Sequence, residues 1–153
     1  MLISYFALLI HIKYRYLKKL SYSLIMIRKS LLFIAVFSLI YGFVFYFTPH
    51  FFADLTRADY TNIAWLRNIG AAICGLLFFG LFLVYKKPLQ NYDLFLIITT
   101  TSLLQTIGLI FSRFFNEFSA KKTIVIDFTI YSAIFVSLYL VYILLNYKSI
   151  FQK

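Results

Sequence analysis

Five residues stand out as able to do chemistry, because each is polar and lies within or beside a long apolar run: Arg67, Asn68, Gln105, Asp127 and Tyr131. A guanidinium and a carboxylate in such places have two uses. They can line a pocket that recognises the polar head of a lipophilic molecule such as a quinone or lipid. Alternatively, they can pair with each other and fix the order of packed helices. An unpaired charge inside a membrane costs at least a few kcal/mol, about 2.5 on the most lenient scale, so each is expected to find a partner or water. Arg67 and Asp127 each follow the start of their apolar run by four residues, about 6 Å in at ~1.5 Å per helical residue, and so they are expected to pair. Gln105 falls roughly 10 Å in by the same rise, and Tyr131 lies one turn beyond Asp127. Both readings, pocket and ion pair, fit these positions.

Other chemistries lack their residues. His50 and His11 are the only histidines, expected on opposite sides of the membrane, so no metal site is expected. Cys74 is the single cysteine, which rules out an internal disulfide or a CxxC redox pair and reads as a small packing residue. The hydroxyls between Thr99 and Thr106 have no histidine or lysine beside them to activate a nucleophile. No catalytic residue and no cofactor follow from the sequence.

The elements that must hold these residues are set by composition. The chain has 153 residues, of which 63% are hydrophobic and only 13% charged, against about 25% charged in soluble domains. This is the composition of a polytopic, all-α membrane protein. Four apolar runs, 31–48, 63–85, 94–112 and 123–147, read as spans of one transmembrane four-helix bundle. The second, from Ile63 to Tyr85, would reach roughly 34 Å as a helix, enough to cross a hydrocarbon core of about 30 Å. Along it Arg67, Gly70, Ala71, Cys74 and Gly75 follow i, i+3, i+4, i+7, i+8, a small-residue face that lets helices approach closely and is expected to carry Arg67 into the bundle. Ala35, Ser38, Gly42 and Tyr46 mark the corresponding face of the first span. Such faces also offer a route to a homo-oligomer. In the third span Thr101, Ser102, Gln105, Gly108 and Ser112 share one side, expected to turn inward.

Between spans, Pro49 ends the first helix, and 49–62 is expected to form a short surface helix. KKPLQNYD makes a tight turn, and 113–122 a loop of mixed charge. Residues 148–153 read as a tail. The segment 1–30 places an apolar run before Lys13, Arg15, Lys18 and Lys19, the reverse of a secretory signal. It reads either as a basic amphipathic helix lying in the interface or, since MIRKS at Met26 resembles a typical start, as an upstream extension.

The net charge of +10 would suggest nucleic acid in a soluble chain. Here the cations flank apolar runs, where they report orientation and contact with membrane lipids. With the N-terminus cytoplasmic, ten of the fifteen Lys and Arg fall on that side, so both termini are expected in the cytoplasm. Richness in Phe, Ile, Lys, Tyr and Asn looks like AT-rich coding, which fits a bacterial inner membrane.

The stretch LRNIGAAICGLLFFGLFLVYKKP, following a first span that ends YGFVFYFTPHFF, resembles the small four-helix bacterial membrane proteins called DoxX-like. The shared pattern is a glycine and proline closing the first span, here Gly42 and Pro49, then Arg67 before the glycine-dotted helix of Gly70, Gly75 and Gly80. The resemblance covers about 31–147. It implies a four-helix fold; one namesake of the group is similar to a subunit of a thiosulfate and quinone oxidoreductase, and the resemblance supplies no cofactor ligand.

Overall fold

The computed structural model describes residues 2–58, 63–118 and 124–151, with side chains from Ile25 onward apart from Lys148 and Ser149. The described residues form an all-α bundle with no strand among them. The first helix, α1, runs unbroken from Leu2 to Phe47. Its 46 residues reach about 69 Å, roughly twice what a bilayer core requires. The boundary expected near Ser30 is therefore not a break. No glycine precedes Gly42 and no proline precedes Pro49, so nothing in the backbone interrupts the ladder. Pro49 then opens α2, Pro49–Thr56, sitting at the helix start where its missing N–H costs nothing. The surface helix expected in this loop is present, and Arg57 closes it in the left-handed conformation at φ 52°.

The second span is composite. An α-helix, α3 (Ile63–Ala72), passes into a π-helical segment, Ile73–Gly80, and returns to α-helix in α4, Leu81–Lys86. A short 3-10 turn, Leu89–Asn91, leads to α5, Tyr92–Phe114. The chain ends in α6, Ile124–Leu145, and α7, Tyr147–Phe151. Four helical stretches of 22 to 26 residues, Ile25–Phe47, Ile63–Lys86, Leu89–Phe114 and Ile124–Leu145, are long and apolar enough to cross a membrane. They mark an integral membrane protein.

Span 2 packs along α1 through all three of its segments, α5 packs on α6, and the two pairs meet chiefly where α4 and the π segment touch α5. The tightest approach is between α1 and span 2. A Cβ added to Gly70 would stand 2.7 Å from Tyr46 N and 2.8 Å from Gly42 O, and one on Gly42 would stand 2.6 Å from Cys74 Sγ. The two backbones touch there, which only glycine allows. Ala35, Ser38 and Gly42 lie buried on this face as expected, whereas Tyr46 is exposed.

One end of the bundle holds a continuous apolar core: Leu31, Ile34 and Ala35 from α1, Leu81 and Val84 from α4, Phe95 and Ile98 from α5, Leu140 and Ile143 from α6. The fourth span ends at Leu145, short of the expected 147, and the residue expected to end it, Tyr147, closes this core together with two residues of the expected tail. Tyr147, Ile150 and Phe151 are buried, and Tyr147 sets its ring against Phe95, Phe151 and Tyr92 while its hydroxyl donates to the carbonyl of Pro88. That phenol lies beyond the fourth span. Burial first, and the neighbouring Tyr92 second, push its pKa up to about 12, so it stays a protonated donor.

Candidate functional site

The carboxylate of Asp127 is held by Arg113, not by Arg67. Arg113 Nε donates to Oδ1 at 2.7 Å and Nη2 reaches Oδ2 at 3.4 Å. The residue expected in a loop is thus part of the last turn of α5, and Asp127 lies in the first turn of α6. A cation at a helix C-terminus and an anion at a helix N-terminus each complement the local dipole, so the pair joins the two helix ends where both charges are already favoured. The side chains are 39% and 34% exposed, which places the pair at the rim of the bundle.

Arg67 itself is exposed, as are Asn68 and Gln105, and Tyr131 is 71% exposed. The inward path expected for Arg67 fails because the small-residue stripe divides. Gly70 and Cys74 take the side against α1, while Arg67, Ala71 and Gly75 lie exposed. A face defined by i, i+3, i+4 steps is more than a quarter-turn wide, roughly 100° or more, and its two edges can meet different surroundings. The five sequence candidates therefore do not converge on one enclosed place: Asp127 joins Arg113, and the other four present their side chains outward.

The buried polar groups are others. Ser102 Oγ and Ser137 Oγ lie 2.8 Å apart, Thr106 Oγ1 is 2.7 Å from Ser137 Oγ, and Thr106 also donates to the carbonyl of Ser102 at 2.8 Å. All three side chains are buried, so this hydroxyl cluster ties α5 to α6 across their middle. Thr99, one turn earlier on the same side of α5, donates to the carbonyl of Phe95. The inward polar line of the third span is thus Thr99, Ser102 and Thr106, whereas Gln105 and Gly108 of the expected line are exposed. Between the first and fourth spans, Tyr41 Oη and Thr129 Oγ1 are 2.6 Å apart, and Thr129 also donates to the carbonyl of Val125.

Sequence reasoning missed Arg113, Ser137, Tyr41 and Thr129, although a signal existed for the first two. Two antiparallel helices joined by one loop bring together residues equidistant from that loop. Ser102 with Ser137, Thr106 with the Ala133 carbonyl at 3.3 Å, and Arg113 with Asp127 all obey this register. Once α5 and α6 are taken as a hairpin, Asp127 points back to Arg113. No family model, no curated protein and no solved structure matches the chain.

Proposed function

We propose that the chain is a structural or accessory protein of a bacterial inner membrane, with both termini cytoplasmic, whose intramembrane polar side chains hold the helices in order. The observation that carries this reading is where those side chains go. Ser102, Thr106 and Ser137 satisfy one another, Tyr41 bonds Thr129, and Asp127 bonds Arg113. Interhelical hydroxyl bonds of this kind contribute about 0.6 kcal/mol each in membranes, enough to choose one helix arrangement over another. The excess of lysine and arginine at one side supports the orientation. The resemblance to DoxX-like proteins agrees with a four-span accessory subunit.

A second reading takes the protein as a binder or conduit for a lipophilic molecule such as quinone, through the outer half around Arg67. One observation favours it. Span 2 meets α5 through the π segment and α4, leaving Asn68 of α3 and Gln105 of α5 exposed at the other end of the same helices. Open space beside Gly75 and Gly108 equally suits a neighbouring helix of a second copy.

Purification in mild detergent, followed by mass spectrometry of what remains bound, separates the two. The structural reading expects membrane lipids and no quinone at molar ratio to the chain. A quinone retained at molar ratio, and lost in Arg67→Ala with the fold intact, would replace it with the second.

A further inference from the structure

The end of the bundle where the first span begins and the second ends carries Arg28 and Lys29 on α1, and Lys86 and Lys87 at the close of α4. The carboxylate at this end is Asp93 in the first turn of α5, and among the described residues it forms no ion pair with any of these four cations. Two of them are placed with some care. Arg28 Nη2 donates to the carbonyl of Tyr85 at 2.9 Å, an unsatisfied acceptor at a helix C-terminus where a cation is also favoured by the dipole. Its Cζ lies 5.3 Å from the Tyr85 ring centroid. Its Nε is buried with no acceptor, so one carbonyl is the guanidinium's protein partner among the described residues.

Lys86 makes a corresponding contact with the neighbouring ring. A lysine at the last turn of a span would ordinarily extend its ammonium outward to water. Here Nζ lies 4.6 Å from the centroid of Phe82, one turn back toward the bundle, following the tilt of helical side chains toward the N-terminus. Phe82 and Tyr85 are themselves stacked, with centroids 6.5 Å apart and planes at 24°, and Phe78 continues the row at 6.1 Å from Phe82. Two cations thus lie over one aromatic row at the depth where an apolar surface gives way to charge. Such a surface lacks an anion with hydrocarbon attached to it.

We propose that Arg28 and Lys86 bind the headgroup phosphate of an anionic phospholipid, with Lys29 and Lys87 at the rim and an acyl chain along Phe82 and Phe78. Clusters of Lys and Arg beside membrane spans attract anionic lipid electrostatically. What distinguishes this place is that the cations come from two packed helices and are held by ring faces and a carbonyl. A bound lipid would therefore clamp the first span to the second, at the end opposite Arg57.

The test uses the full chain in nanodiscs of phosphatidylcholine containing a minor fraction of phosphatidylglycerol with the same acyl chains. Lipids retained after extraction into mild detergent are counted by native mass spectrometry. Phosphatidylglycerol is expected to be retained several-fold above its share, and Lys86→Gln to remove most of that excess. Lys86 is exposed and outside the core, so this variant should fold even where Arg28→Gln does not. Arg57→Gln, which removes a charge at the other end, should leave the excess unchanged. Retention in proportion to the mixture, or an equal fall in Lys86→Gln and Arg57→Gln, overturns the site. Displacement of the lipid by millimolar inorganic phosphate would also overturn it, since these cations would then recognise a free anion.

Discussion

Gly70→Leu is expected to prevent the first two spans from packing, with a loss of at least about 3 kcal/mol and little folded protein recovered in detergent. Even a methyl group would meet Tyr46 N at 2.7 Å and Gly42 O at 2.8 Å. Both are backbone atoms that cannot rotate away, so the helices must separate along the whole contact. Gly70→Ala should accordingly cost about 1–3 kcal/mol in a thermal or denaturant melt. Gly75→Ala is the control within the same helix: nothing lies within 4 Å of its added Cβ, and removing a helix glycine is worth up to about 1 kcal/mol in favour of folding. Equal losses at Gly70 and Gly75 would show that the cost comes from helix propensity or insertion and not from the α1 crossing.

Ser137→Leu should be the most damaging change in the other half of the bundle, at about 2–4 kcal/mol. Ser137 is 1% exposed and bonds both Ser102 and Thr106. A leucine there adds bulk to a closed α5–α6 contact, about 1–3 kcal/mol by itself, and removes hydroxyl bonds averaging ~0.6 kcal/mol each in membranes. Ser137→Ala separates the two contributions. It should cost only about 1 kcal/mol, because Thr106 keeps its bond to the Ser102 carbonyl. A Ser137→Leu protein as stable as the wild type would mean that α5 and α6 do not meet at this register.

The four spans were legible in the sequence because length and apolarity decide them almost alone, and no competing signal interrupts Ile63–Lys86 or Ile124–Leu145. Pro49 and the short helix after it were legible for an equally local reason. The candidate site was less so. Helical spacing groups Arg67 with Gly70 and Cys74, but it does not say which edge of that group faces a neighbour, and the crossing with Gly42 selects the Gly70 edge. In the third span the same ambiguity placed Gln105 inward, where the structure has Thr99, Ser102 and Thr106. Depth alone suggested Arg67 for Asp127. It passes over Arg113 because the apolar run ends at Ser112, one residue short of the partner that hairpin register supplies. The burial of Ile150 and Phe151 could not be read locally, since their partners come from the other helices.

Melts of Arg113→Ala, Asp127→Asn, the double variant and Arg67→Ala decide whether the polar groups of this bundle hold its helices together. Removing Arg113 leaves the Asp127 carboxylate at the bundle rim without its cation. The loss should be about 1 kcal/mol for a pair this exposed, and Asp127→Asn in the same chain should restore much of it. Arg67→Ala, by contrast, removes an exposed side chain and should change stability by no more than about 0.5 kcal/mol. The account is contradicted if Arg67→Ala gives the large loss and Asp127→Asn rescues it, or if Arg113 and Asp127 prove additive.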